Sequence, residues 1–355
     1  MRQNPFKSYN IGPLPDGCKQ CVAGLKSVIF ITGHCPRKCF YCPVSEHKMY
    51  KDVIYCNEKL IDAKTPQKQI QQIIQEVKIS KSKGAGITGG DPLCALDRTC
   101  KVIRRLKKEF GKSFHIHIYT SLNLLDKKAI AALKSAGLDE FRVHPDLYDQ
   151  TLWPRIALAK NQFHRYGIEV PAIPEREGAL KQLMQYALPF VDYINLNELE
   201  ASCTNAGEFV KRGLNVKQLS SYAVVGSSET ALRLIKIKSK IPVHFCTCKL
   251  KDAVQLANRL KRRAKSIVTP YQFVTQEGTL YFGEIVCDSS NAAQKYACKL
   301  ASEFKIPDRL ISLRGSVIRI AAWVLLDLKD DIPYKKLLVT QYPTADEMRV
   351  MEEEI

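Results

Sequence analysis

The chain has 355 residues, 45% of them hydrophobic and 25% charged, a balance that excludes extended disorder and leaves room for one large core plus an extension. No apolar run approaches the roughly 18 residues of a membrane span and no apolar signal core follows the N-terminus, so the reading is a soluble cytoplasmic protein with no membrane partner. The formal charge of +18 favours polyanions, although lysine-rich composition also accompanies heat adaptation.

In chain order, the N-terminal extension over 1–24 carries a two-thiolate knuckle, Cys18-Lys19-Gln20-Cys21. Ser27–Thr32 is apolar and β-branched, which predicts a buried strand. A loop follows with Cys35, Cys39 and Cys42, spaced so that three soft thiolates can hold three irons of a cube and leave the fourth open. Zinc is the alternative occupant and would need a fourth ligand. The thirteen cysteines are odd in number, and their most ordered spacing is that of a cluster, which suits a reducing compartment. Thr65-Pro66 then opens a helix whose Ile70, Ile73, Ile74 and Val77 repeat at helical spacing. Next comes a short strand at 85–88 ending in Gly89-Gly90-Asp91-Pro92.

That strand, the Cys35/Cys39/Cys42 loop and the later Gly89-Gly90-Asp91 motif together resemble the radical S-adenosylmethionine (SAM) superfamily. A longer match, from Gly24-Leu25-Lys26 through Asp52–Tyr55 with Gly111–His117 and Asn195–Glu200, is similar to archaeal radical SAM proteins related to pyruvate formate-lyase activating enzymes. The resemblance implies a 4Fe-4S cluster on Cys35, Cys39 and Cys42, with the amine and carboxylate of SAM on its open iron. One-electron cleavage of SAM would then give a 5′-deoxyadenosyl radical, fed by an electron donor such as ferredoxin or flavodoxin. It also implies that Tyr41 packs near the adenine and that Gly89, Gly90, Asp91 and Pro92 help hold SAM, with Asp91 standing where the family usually has Glu.

Further along, helices about 98–110, 126–136 and 176–187 alternate with strands at 114–119, 139–143, 168–173 and 191–196. Six strands separated by helices argue for parallel βαβ construction, in family terms a partial (β/α)6 TIM-type barrel over 25–200. Active sites of such barrels lie beyond the strand C-termini, which singles out Tyr119, Arg142, His144, Asn197 and Glu198 as candidates. Arg142 and Glu198 are also placed to pair with each other. His115 and His117 share a face of their strand, and His117 is the second candidate for SAM contact.

An α/β continuation over 201–265 contains Tyr222–Glu229, read as a strand and turn opening a helix, and the strand Pro242–Phe245. Cys246 and Cys248 follow that strand. If they meet Cys18 and Cys21, four thiolates can hold an auxiliary 4Fe-4S cluster or zinc, with His244 as an alternative ligand; otherwise they are ordinary thiols. Residues 266–355 read as a small β-rich extension, including a strand-like run Val317–Leu326.

The target of the radical is chosen by loops. Lys249–Lys265 and Lys101–Lys112 are strongly basic, and such helix faces can contact phosphates, so modification of RNA (tRNA or rRNA) is the favoured expectation. The alternatives are an activase or modifying enzyme acting on a protein or peptide, and an enzyme acting on a small metabolite. A non-catalytic zinc-stapled protein would leave the open cysteine triplet unexplained.

Overall fold

The computed structural model describes residues 3–218, 221–237 and 239–355; the first two residues of the N-terminal reading lie outside them. The chain divides into two compact units, one of residues 1–78 and 82–256, the other of 79–81 and 257–355.

In the first unit the strands are β1 (Tyr9–Ile11), β2 (Lys26–Phe30), β3 (Tyr55–Cys56), β4 (Lys59–Leu60), β5 (Gly84–Thr88), β6 (His115–Ser121), β7 (Glu140–His144), β8 (Arg165–Ala172), β9 (Tyr193–Glu198), β10 (Val216–Gln218), β11 (Ser221–Val224) and β12 (Val243–Cys246). All but β10 and β11 form one sheet in the order β1-β12-β9-β8-β7-β6-β5-β2-β3-β4. The neighbours from β2 through β5, β6, β7, β8 and β9 to β12 are parallel. Val243–Cys246 therefore joins the six expected strands as a further parallel member. It lies beside β9, and antiparallel β1 borders it. The β3–β4 hairpin ends the other edge, so the hydrogen-bonded path is an arc whose ends are not joined among the described residues.

Crossover helices cover one face of this arc. They include α2 (Pro66–Ile79), α3 (Leu96–Phe110), α4 (Lys127–Ala136), α5 (Glu177–Ala187) and α7 (Ser227–Ile235). Local signals set their limits: Asp126 accepts from the Ala129 N–H at the start of α4, and Gly137 ends it at φ 95°, a left-handed position that glycine adopts without strain. Their apolar stripes, such as Ile73, Ile74 and Val77 or Val102, Ile103 and Leu106, meet Ile116, Ile118, Phe141, Val143, Ile168, Val170, Ile194, Leu196, Val243 and Phe245 in one core. Each such side chain, fully buried, stabilises the fold by about 1.5–3 kcal/mol.

The period of two then fixes what the opposite, inner face carries: His115, His117 and Tyr119 on β6; Glu140, Arg142 and His144 on β7; Glu169 on β8; Tyr193, Asn195 and Asn197 on β9; His244 and Cys246 on β12. A parallel barrel is ordinarily filled with branched apolar side chains; this arc is lined with polar ones. Helix α1 (Asp16–Val22), between β1 and β2, lies against that face. At Gly17 an added Cβ would stand 2.6 Å from Arg142 Nη2 and 2.8 Å from Glu140 Oε1, so a side chain there would have to displace that ion pair.

After α6 (Ala206–Lys211), β10 and β11 pair as a hairpin. Gly226, at φ 83°, then opens α7, as expected for Tyr222–Glu229. Beyond β12, α8 (Cys248–Leu250) runs into a wider helical turn at Lys251–Leu256.

The second unit begins with α9 (Ala257–Ile267). Its sheet runs β15 (Ile311–Arg314), β16 (Val317–Ile320), β14 (Leu280–Val286), β17 (Lys335–Gln341), β18 (Arg349–Glu354), with β13 (Phe273–Val274) also on β14. Helices α10 (Ser290–Ser302) and α11 (Ala322–Asp327) contribute to its core. The expected strand Val317–Leu326 is in fact two elements, β16 and then α11. Among the described residues no helix is long and apolar enough to cross a membrane.

Candidate functional site

The cysteine loop is joined by backbone contacts to the glycine motif. Gly90 N–H donates to Thr32 O at 2.8 Å and Asp91 N–H to His34 O at 2.7 Å. A Cβ on Gly89 would stand 2.5 Å from Thr32 O, and one on Gly90 2.5 Å from the carbonyls of Gly33 and His34. The two glycines are therefore required for this approach. Between the loops lies a cavity of about 240 Å³ whose lining includes Cys35, Cys39, Cys42, Tyr41, Gly89, Gly90, Tyr119 and His144. Three soft donors on one wall, with glycine backbone and polar side chains beside them, fit a cluster and a polar ligand on it. Burial pushes the Cys35 thiol up to about 11, against the opposing donation of Arg37 N–H, and it raises Cys42 as well. In the metal-free chain these are neutral thiols, so cluster binding must release protons. Among the described residues no three His, Cys, Asp or Glu side chains converge to metal-binding distance, at this loop or elsewhere.

Two side chains of the loop anchor it to the end of β7. Arg37 donates to His144 O and to the Asp146 carboxylate, both at 2.8 Å. His144 Nδ1–H donates to Glu169 O at 2.8 Å, which leaves Nε2 to accept from the Tyr41 hydroxyl, also at 2.8 Å. Burial brings His144 down to about 4, helped by the field of Arg37, so the ring is neutral and its tautomer is set by its partners.

Other expected residues stand elsewhere than the sequence suggested. Asp91 is buried, and its carboxylate accepts from Thr120 Oγ1–H, Ser121 Oγ–H, Ser121 N–H and Leu93 N–H at 2.6–3.0 Å. It ties the glycine motif to β6, and its acceptor capacity is taken up by the protein. Pro92 opens a short helical turn and is buried. His117 packs edge-on against Tyr119 and does not line the cavity. Arg142 pairs not with Glu198 but with Glu140 and Glu169, at 2.5 and 2.6 Å. It also donates to Tyr119 Oη at 3.0 Å and to Cys18 Sγ at 3.5 Å. Asn197 donates to Glu169 at 3.0 Å. Glu198 accepts from Lys217, Ser228 and Cys248 N–H.

The four outlying cysteines divide. Cys18 and Cys21 sit on α1 within electrostatic reach of Arg142. Cys246 packs with Val22 and Leu250 and feels Cys21. Cys248 instead caps toward Glu198 and lies near Glu200 and Lys251.

Sequence reading passed over Glu140, Glu169, Tyr193 and Lys26. Glu140 accepts from Gly17 N–H at 2.9 Å and Tyr193 Oη–H at 2.8 Å and lies 3.3 Å from His115 Nε2. The signal was present in the alternation Glu140-Phe141-Arg142-Val143-His144, which puts both charges on one face.

The family model of the radical SAM superfamily matches residues 29–193, and a domain of unknown function matches 278–354. A protein of Methanocaldococcus jannaschii named, by inference, a glycyl-radical enzyme activating enzyme is 38% identical over 97% of this chain and 94% of its own length. The biotin synthase of Pseudoalteromonas translucida is 29% identical over 35% of this chain and 34% of its own. Among solved structures, the hydrogenase maturase HydG aligns with a TM-score of 0.40 and 12% identity, covering 70% of this chain and 65% of that one. With its cysteine loop, glycine motif and parallel arc, the chain belongs to the radical SAM superfamily and is an enzyme that uses a 4Fe-4S cluster and SAM.

Proposed function

We propose that the chain is an activating enzyme that leaves a radical on a partner polypeptide. The observation that carries this reading is the single cavity lined by Cys35, Cys39, Cys42, Gly89, Gly90, Tyr119 and His144; the choice of a polypeptide target rests on the name of the M. jannaschii relative. When bound, the cluster and SAM supply one-electron cleavage of the sulfonium bond and thus a radical able to abstract hydrogen. Cys35, Cys39 and Cys42 hold the cluster, and the Gly89-Gly90 backbone receives the methionyl end of SAM. Tyr41, fixed by neutral His144, borders the nucleoside end. Asp91 acts through the loop it secures, while Arg142, Asn197 and Glu169 set the polar wall beneath.

A second cavity of about 350 Å³, lined in part by Lys38, Tyr148, Asp146 and the ion-paired Arg37 and Arg212, adjoins the cysteine loop and is the candidate face for an electron donor of the ferredoxin or flavodoxin kind. The odd number of cysteines and the cluster spacing of Cys35, Cys39 and Cys42 support placement in a reducing compartment such as the cytoplasm.

The RNA reading draws less support than the basic stretches suggested. Arg263 is buried and donates to Pro343 O, Lys261 and Arg262 are half-buried, and Lys251 binds Glu200. In the other stretch Lys101 binds Asp97 and Lys107 binds Asp139. Anaerobic incubation of the reduced enzyme with SAM and glycyl-radical-type polypeptides should give a carbon-centred radical signal on the partner. A modified nucleoside in RNA, with no polypeptide radical, would overturn the activase reading.

A further inference from the structure

We propose that the inner face of the arc holds a second metal centre, zinc or an iron–sulfur cluster, ligated by Cys18, Cys21, Cys246 and His244. This is independent of the radical's target.

The four residues fall into two neighbouring pairs. Cys18 and Cys21 are three apart on α1, a spacing that puts both side chains on one helix face. His244 and Cys246 are two apart on β12, a spacing that puts both on one strand face. Val243 and Phe245, between and before them, belong to the core on the helix side, so the pair points to the inner face, where α1 lies. Cys246 stands within electrostatic reach of Cys21 and packs with Val22 of the same helix; as at the Cys35/Cys39/Cys42 loop, the side chains of the metal-free chain do not themselves stand at metal-binding distance.

Three further features fit ligation. First, His244 is 2% exposed, and its Nδ1 has no hydrogen-bond partner, while Nε2 is 3.1 Å from Ser8 Oγ. A ring fixed through one nitrogen, with the other buried and free, is the usual state of a histidine ligand. Asn195, its register partner on β9, also has an unpartnered buried Oδ1. An orphaned buried polar atom costs about 1–3 kcal/mol, so two side by side point to an occupant.

Second, two of the sulfurs already receive N–H donors: Arg142 Nη2 at 3.5 Å on Cys18 and Gln255 Nε2 at 3.8 Å on Cys246. Third, each thiol lies in the field of a cation, Arg142 for Cys18, Arg142 and then Lys26 for Cys21, and Lys251 for Cys246. Ligation exchanges three S–H bonds for metal–sulfur bonds and releases three protons. Cys248 is left out, because its backbone N–H is held by Glu198 at 2.9 Å and it starts a new helix.

The test uses full-length protein carrying Cys35→Ala, Cys39→Ala and Cys42→Ala, purified anaerobically and offered zinc or iron with sulfide. It should retain about one zinc, or about two to four irons with matching sulfide, per chain. Adding C18S, C21S or C246S should weaken retention at least about tenfold, and C248S should leave it unchanged. Metal identity distinguishes zinc from a cluster. Absence of stoichiometric metal, or retention indifferent to C18S, C21S and C246S, overturns the proposal. If the triple variant does not fold, cobalt is added to the intact metal-free chain. Thiolate-to-cobalt absorption lost in C246S and H244Q but kept in C39A supports the site, and absorption kept in all three overturns it. SAM cleavage is not read, so failure here leaves the activase reading standing.

Discussion

The two ends of the polar inner face make opposite use of the same alternation. At the strand C-termini, Cys35, Cys39, Cys42, His144 and the Gly89-Gly90 backbone surround open volume, and burial favours the neutral forms of Cys35, Cys42 and His144. Nearer the strand starts, Glu140, Arg142, Glu169, Lys26 and Tyr193 satisfy one another. Lys26 donates to the carbonyls of Ala85 and His115 and lies 2.6 Å from His115 Nδ1. One end surrounds open volume for a ligand; the other is closed around ion pairs, and its orphaned atoms, among them His244 Nδ1 and Asn195 Oδ1, lie away from the cavity. Polarity alone is thus a poor guide to a site, and polar groups that border open volume are a better one.

The comparison is tested most strongly by removing one group from each end. Cys39→Ala should lower 5′-deoxyadenosine formation at least about a hundredfold with the melting temperature of the metal-free chain nearly unchanged. Near-normal turnover would remove the cluster assignment. Arg142→Met should act chiefly on stability, costing about 3–5 kcal/mol in urea unfolding because it strands the buried Glu140 carboxylate and the partly buried Glu169. Replacing Glu140, Arg142 and Glu169 together with apolar residues should restore much of that loss. If Arg142→Met alone is neutral, the lower network is not the closed ion system described.

Asp91 stands between the two ends. Asp91→Ala should cost about 1–3 kcal/mol by freeing buried donors, and it should raise the KM for SAM through a loosened glycine loop. Asp91→Asn should recover part of both. A change in KM without any change in stability would assign Asp91 to direct SAM contact.

The cysteine loop, the glycine motif and the alternation of strands and helices were legible because each depends on local spacing. The arc's added parallel strand was legible as a strand but not as a sheet member, since Val243–Cys246 becomes parallel only by lying beside β9, far away in sequence. The pairing of Arg142 was misread for a related reason. Glu198 looked a suitable partner from its position after β9, whereas the partners are Glu140, two residues away on the same strand face, and Glu169 on the neighbouring strand. Likewise, nothing local in Lys261, Arg262 and Arg263 marks that basic stretch as part-buried. Residues whose roles depend on which elements become neighbours stay hidden from a single sequence.

The smallest expected effect tests whether His144 belongs to the open end. Its folded pKa is about 4 against an ordinary 6.5, so the folded chain binds this proton less readily than the unfolded chain does. The contribution to stability is therefore full above pH 6.5 and is lost as pH falls from 6.5 toward 4. His144→Asn keeps a side-chain N–H for Glu169 O but cannot take up the proton. The melting temperature of the metal-free parent should consequently fall further than that of the variant across this window. The substitution leaves every other ionisable side chain in place, so the difference isolates His144. Parallel curves would mean that the ring is already solvated in the folded chain. The link from Tyr41 through His144 to the Glu169 carbonyl would then not persist in solution, and the upper end would lose the contact that orients Tyr41 toward the cavity.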